Sequence, residues 1–232
     1  MSFFITGTDT GVGKTLVSCA LLQAFAAQGK IVAGFKPVAA GVDADGMNDD
    51  AKALRAVSTL PLSYEQVNPY CLREAIAPHI AAKNEGVRIE LPRILAAYRE
   101  LAGRADEVIV EGAGGFLVPL NDKQNTADLA KELTLPVIVV VGMRLGCLNH
   151  ALLTVRAISE YQLKCAGWVA NVIDGTTRRC EASGTEDMPA LQENIEVLRE
   201  RIKAPLLGVV PWMAKPDAKV AAKSLDLGVL GT

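Results

Sequence analysis

The sequence predicts an α/β protein, a mostly parallel sheet flanked by helices. Three observations predict it. Short apolar runs alternate along the chain with longer stretches of helical periodicity, the order produced by repeated strand–helix–strand crossovers. The run Pro136–Val141 is apolar throughout, as strands covered on both faces are. The first run, Phe3-Phe4-Ile5, leads into Gly7-Thr8-Asp9-Thr10-Gly11-Val12-Gly13-Lys14-Thr15 and then into a helical pattern, the layout of a phosphate-binding loop.

Taken in order, Ser2–Thr6 reads as a buried strand and Lys14–Gln28 as its crossover helix, with Gly29 placed as a helix-ending glycine. Between them, glycines let backbone N–H groups converge on phosphate oxygens, and the helix N-terminus adds partial positive charge. Gly11-Val12-Gly13-Lys14-Thr15-Leu16 are therefore expected around a nucleotide's phosphates, Lys14 reaching the outer ones and the Thr15 hydroxyl available to magnesium. The architecture expected is P-loop NTPase-like. The first glycine of the usual pattern is replaced by Thr8, and Gly7 lies one residue further back.

Ile31–Phe35 is a second strand, and Pro37 stops its pairing, which puts Lys36 at a strand's carboxyl end, the edge where open α/β sheets bind ligands. Lys36 is either a solvated strand end or a second cation at the phosphate site. A helix starts near Asn48 or Asp49 and runs to Val57, and its acidic first turn is either capping or a face toward magnesium. Leu60–Glu85 is broken by Pro61, Pro69 and Pro78, with a turn at Asn68-Pro69-Tyr70, and Ile89–Ala102 is helical. The strand Glu107–Val110 ends in Glu111-Gly112-Ala113-Gly114-Gly115, a carboxylate where phosphate-loop proteins hold magnesium, followed by amides free to contact a ligand. Asn125–Leu133 is a helix, Pro136–Val141 a central strand, Leu145–Ile158 a turn and helix, and Cys165–Val172 a strand with Asn171 near its end. Met188–Ile202 is a helix and Leu206–Val210 a last strand closed by Pro211-Trp212. The single domain spans 1–232, its final stretch 215–232 a surface tail with some helical character.

Composition narrows the function. Half of the 232 residues are apolar and the formal charge is −2 with no basic block, so neither nucleic acid nor a membrane is expected as a partner. Met1-Ser2-Phe3-Phe4 lacks a basic leader, and no apolar stretch is long enough to span a bilayer, which suits a cytoplasmic protein. The five cysteines form no C-x-x-C pair and there are two histidines, which argues against zinc and for reduced thiols.

The loop alone is shared by many families. Together with Lys36-Pro37-Val38, Glu111-Gly112-Ala113-Gly114-Gly115, Gly146-Cys147-Leu148-Asn149-His150 and Trp168-Val169-Ala170-Asn171, in that order, the chain resembles dethiobiotin synthetase over most of its length. The resemblance implies an ATP-dependent ligase of biotin biosynthesis that carboxylates 7,8-diaminononanoate with CO2 and closes a cyclic urea, through a carbamate and a carbamic–phosphoric anhydride. It implies catalysis by Lys36 and Lys14 and magnesium (Mg2+) held by Thr15, Asp50 and Glu111. ATP would also meet Gly112, Ala113, Gly114, Asn171, Val172, Val210, Pro211 and Trp212. The diamine would meet Thr10, Lys36 and Ala40, and its distant carboxylate Leu145, Gly146, Cys147, Leu148 and Asn149 across a homodimer interface.

Three positions depart from the family pattern: Gly11 stands where Glu occurs, Ala40 where a Ser offers a hydroxyl, and Ser183 near a substrate-contacting Tyr. The competing class is a nucleotide-state switch ATPase of the partition or septum-site type. Those proteins carry a second lysine where Asp9 stands here, and usually Asp where Glu111 stands. A corrin-amidating relative would bring a glutaminase domain for which the chain has no room.

Overall fold

The computed structural model describes residues 2–173 and 190–230. Six strands form one sheet in which every pairing is parallel: β1 (Ser2–Gly7), β2 (Val32–Phe35), β5 (Glu107–Glu111), β6 (Val137–Gly142), β7 (Cys165–Asn171) and β8 (Leu206–Val210), in the order β2-β5-β1-β6-β7-β8. Two shorter strands, β3 (Val38–Ala40) and β4 (Tyr70–Leu72), pair parallel beside it. The helices are α1 (Lys14–Ala27), α2 (Asp49–Val57), α3 (Tyr64–Val67), α4 (Pro78–Asn84), α5 (Leu91–Ala102), α6 (Thr126–Leu133), α7 (Cys147–Glu160), α8 (Leu191–Arg201) and α9 (Ala218–Ala222). None of the described helices is long and apolar enough to cross a membrane.

The predicted α/β class and central strand follow from burial. Every residue of β5 and β6 is buried, because helices cover both faces of the sheet. Local chemistry sets the helix starts. The Asn48 side chain accepts from the Ala51 N–H and opens α2, and Asn125 with Asp128 makes a reciprocal capping box for α6. Helix α5 begins two residues later than periodicity suggests, with Pro92 inside its first turn, where a missing N–H costs nothing.

Two expectations need correction. Pro37 does end β2, but the chain resumes at once as β3, and Tyr70, expected in a turn, opens its partner β4. The 215–232 stretch is not a plain surface tail. Ala221, Leu227 and Leu230 are buried, α9 packs against α1, and the Asp226 N–H donates to the Leu207 carbonyl at 2.7 Å. The helix expected from Met188 is described from Leu191, and Met188 and Ser183 lie outside the described residues.

The tail approaches edge strand β8 so closely that only glycine fits at 208: a methyl group there would sit 1.8 Å from the Ser224 carbonyl oxygen. Gly208→Ala should destabilise the protein by about 1–3 kcal/mol through overpacking, read as a lower urea midpoint. An unchanged midpoint would mean that the tail is not docked on β8.

Candidate active site

Because all six main strands run parallel, their carboxyl ends share one edge, and register decides which residues meet there. Phe35 pairs with Val110 and Ile5 with Glu111, so Lys36, Glu111 and the loop after β1 are neighbours. On the other side Gly142 pairs with Asn171 and Asn171 with Val210. The chain switches direction about β1, and the phosphate loop lies at that switch, where doubly wound sheets bind ligands.

The loop is held on both flanks. Thr8 N–H donates to the Val140 carbonyl at 3.0 Å, and the Asn171 amide donates to the Val12 carbonyl at 2.9 Å. Gly13, at φ 83°, is the N-cap of α1, and a Cβ there would lie 2.1 Å from the Asn171 amide nitrogen. Only glycine satisfies both the left-handed backbone and that approach. Lys14 is buried, and its ammonium donates to the Asp9 carbonyl at 2.9 Å. Burial first, and the Lys36 charge second, pull its pKa down to about 8. The Asp9 carboxylate accepts from the Thr10 N–H at 2.7 Å and pairs with Arg144.

Beside the loop, the Lys36 ammonium, 4 % exposed, donates to Glu111 Oε1 at 2.6 Å and Asp50 Oδ2 at 2.8 Å. The Thr15 hydroxyl lies 2.7 Å from Asp50 Oδ1 and 2.9 Å from Glu111 Oε1. Burial works against charge on Lys36, but the two carboxylates outweigh it and hold its pKa above the ordinary lysine range. Burial likewise pushes Asp50 up, and Lys36 more than offsets this, leaving the carboxyl below its usual range. Glu111 Oε2 is covered and has no hydrogen-bond partner among the described residues. A hydroxyl and two carboxylates, one with an unused buried oxygen, are hard donors of the kind magnesium takes. The predicted set Thr15, Asp50 and Glu111 therefore fits that ion.

A cavity of about 720 Å³ opens over these groups. Thr10, Gly11, Gly13, Lys14, Thr15, Lys36, Ala40, Asp50, Ala113 and Gly114 line it, so much of the predicted phosphate loop comes together with three of the predicted substrate residues, Thr10, Lys36 and Ala40. Val12 and Gly112 are buried beneath it. Leu145–Asn149 do not line it: Gly146 caps α7, Leu145 is 94 % exposed and Asn149 faces out. Asn171, Val172 and Val210 are buried at the far half of the edge, with Pro211 and Trp212 exposed beyond them. A larger hollow between α4 and the 120–124 turn contains none of the predicted residues.

A family model described as an AAA domain matches residues 1–220. The ATP-dependent dethiobiotin synthetase BioD of Aromatoleum aromaticum is 52 % identical over 229 residues, covering 97 % of this chain and 97 % of that protein. The protein of the same name from Nitrosospira multiformis is 50 % identical over 229 residues, 99 % of this chain and 96 % of its own. The chain belongs to the dethiobiotin synthetase family. Solved structures share the architecture at much lower identity. The MinD cell division protein of Aquifex aeolicus aligns at TM-score 0.55 and 16 % identity, over 97 % of this chain and 88 % of that one. The Pyrococcus furiosus cell division ATPase MinD aligns at 0.54 and 16 %, over 97 % of each chain. These likenesses show a P-loop NTPase fold and carry no function.

Sequence reasoning missed part of the cavity lining, Ala39, Ala75, Ile76, Ala77, Pro78 and Val118. It also missed Asn68, 3 % exposed, whose amide donates to the Lys36 carbonyl at 2.6 Å. The proline-broken character of that region was the only signal, and it marked a turn rather than a contact. Tyr64 and Asn48 complete the same group of hydrogen bonds.

With its pKa near 8, Lys14 is half neutral at pH 8, and a triphosphate beside it favours the charged form. Nucleotide binding should therefore take up about half a proton at pH 8 and much less at pH 6.5, the pKa rising on binding. Calorimetry in buffers of differing ionisation enthalpy measures this. Buffer-independent heats at pH 8, or uptake that persists in Lys14→Met, would contradict it.

Proposed function

We infer that the chain is a dethiobiotin synthase: with ATP it carboxylates 7,8-diaminononanoate using CO2 and closes the ring to dethiobiotin, releasing ADP and phosphate. The observation that supports it most is a second buried lysine, Lys36, paired to Glu111 beside the phosphate-loop lysine and facing a half-apolar cavity. Binding a nucleotide requires only the loop; a second fixed cation serves charge that appears during reaction.

In this reading an amine nitrogen of the diamine bonds to CO2, loses a proton and becomes a carbamate. Lys36 holds that carbamate against the γ-phosphate, and the carbamate oxygen attacks phosphorus in line while ADP leaves. Lys14 and Lys36 offset the negative charge gathering on the transferring group. The second amine then attacks the carbamoyl carbon of the anhydride, the urea ring closes and phosphate departs. Thr15, Asp50 and Glu111 would hold magnesium, which supplies charge neutralisation to the phosphates. The amides of Ala113 and Gly114, which line the cavity, would lie along the reacting groups, whereas the Gly112 N–H, expected there too, is spent on the Ile5 carbonyl at 2.9 Å. Asn171 with Val172, Val210, Pro211 and Trp212 would receive the adenine, the Asn171 oxygen accepting from its amino group. Thr10 and Ala40 border the diamine, and with Ala40 the site contacts it there through a methyl group rather than a hydroxyl.

We take the chain as one phosphate-loop domain acting in the cytoplasm as a homodimer, without nucleic acid or membrane partners. The diamine's carboxylate lies several methylenes from its amines and needs a separate site. The start of α7, Leu145-Gly146-Cys147-Leu148-Asn149, has no side-chain cap and offers the favourable end of a helix dipole, although the Cys147 N–H is taken by the Arg144 carbonyl. It does not face the cavity of its own chain, so a second copy would supply it.

The direct test is ADP formation by the purified protein, which should require both diamine and bicarbonate. Release that ignores the diamine would overturn the reading. Lys36→Gln should depress kcat about 100-fold or more with ATP affinity nearly unchanged, measured by turnover against calorimetric binding. Loss of both in parallel would reduce Lys36 to a nucleotide anchor. Mixing Lys14→Ala with a bulky Gly146 variant should restore partial activity through heterodimers. A fully active monomer in sedimentation would end the shared-site proposal.

A further inference from the structure

Lys36 and Asp50 meet at 2.8 Å, yet they sit on different elements, the end of β2 and the first turn of α2. One short helix, α3, connects the two. Its carboxyl end grips Lys36 from both sides of the residue: Lys36 N–H donates to the Val67 carbonyl at 2.8 Å, and the Asn68 amide donates to the Lys36 carbonyl at 2.6 Å. Its first residue, Tyr64, reaches α2: the Tyr64 hydroxyl accepts from Asn48 N–H at 2.8 Å, and Asn48 is the residue that caps the helix carrying Asp50. The same hydroxyl donates to Asn68 Oδ1 at 3.0 Å, so the two grips share one atom.

The orientation of each group is forced. The Lys36 carbonyl requires a donor, so Asn68 Nδ2 faces it and Asn68 Oδ1 must face the hydroxyl. Burial raises the pKa of the Tyr64 phenol, which keeps its proton available to that oxygen. The Cys71 thiol lies 3.2 Å from the same hydroxyl, which has a lone pair left to accept from it.

We propose that Tyr64 and Asn68 are positioning residues for the phosphoryl-transfer step, a hydrogen-bonded bracket that sets Lys36 against Asp50. Neither lines the cavity over the phosphate loop. The bracket acts through the ammonium's placement, where a displacement of an ångström is costly to a reaction run by orientation and fixed charge. The proposal rests on the catalytic role given above to Lys36.

Tyr64→Phe removes one oxygen and keeps the ring. It should lower kcat about tenfold while KM for ATP stays within twofold, and it should raise the magnesium concentration needed for half-maximal rate. The double variant Tyr64→Phe/Asn68→Ala should be no slower than Asn68→Ala alone, since both break one bracket. Circular dichroism and thermal midpoints check that each variant is folded. A lower midpoint with unchanged kcat would leave Tyr64 a structural residue and overturn the proposal, as would effects of the two substitutions that multiply. Should Asn68→Ala not fold, Tyr64→Phe decides through the split between kcat and KM. Wild-type protein lacking diamine-dependent ADP release would instead overturn the function itself, so the two failures are separable.

Discussion

A buried ammonium has to be paired, and the pairing of Lys36 constrains much of the fold. Removing such a charge from water without partners costs many kcal/mol, so the chain must bring carboxylates to it. Glu111 can arrive only if β5 lies directly against β2 and ends in register with it, which the sheet order and the Phe35–Val110 pairing provide. Asp50 arrives because α2 begins at Asn48 and not a turn later. Thr15 then finds both carboxylates within hydrogen-bond distance because β1 is the next strand over. Proposed chemistry and structural pairing thus draw on the same atoms. The ammonium proposed to serve the reaction also neutralises the carboxylates that would hold magnesium.

The strand order also divides the work. On the β2-β5 side of β1 lie the paired charges of Lys36, Glu111 and Asp50. On the β6-β7-β8 side lie Asn171, Val172 and Val210, which are buried and uncharged. The phosphate loop is anchored to that quieter half through the Thr8–Val140 and Asn171–Val12 hydrogen bonds and through the Asp9–Arg144 pair. A loop rich in glycine gives up much conformational entropy when it is ordered. These ties hold its amides in place before a nucleotide arrives, which reduces what binding must supply.

What sequence could reveal followed from how local each feature is. Loop, strand ends and helix caps are written in adjacent residues, so Gly13-Lys14-Thr15, Lys36 after its strand and Glu111 before its glycines were all legible. Strand order was not, because a run such as Pro136–Val141 carries no information about its neighbours beyond being central. The β3–β4 pairing joins residues some thirty apart through a proline-broken stretch, and proline and asparagine there looked like turn signals. Asn68 was read as part of a turn, yet its side chain is spent on the backbone of Lys36. The tail misled for a related reason: Ala221, Leu227 and Leu230 form no long periodic stripe, and only the close approach permitted by Gly208 lets them reach the core.

A fold of this kind does not by itself dictate a site. A parallel sheet with a phosphate loop at its switch point will bind a nucleotide whatever the reaction. The particulars lie in what the other connections bring to the same edge. Here the β2–β3 connection brings Lys36, and the segment before α4 brings Ala75, Ile76 and Ala77 to the same cavity. The resulting cavity is lined by charged groups together with small apolar side chains. Alanines at 39, 40, 75 and 77 leave width for a methylene chain, whereas larger residues would close it. A cavity of about 720 Å³ lies within the range of small-molecule sites rather than flat protein interfaces. A nucleotide switch has no need of an apolar wall beside its γ-phosphate. In the ligase reaction proposed above, that lining would hold the methylenes of an aliphatic diamine beside the charged groups.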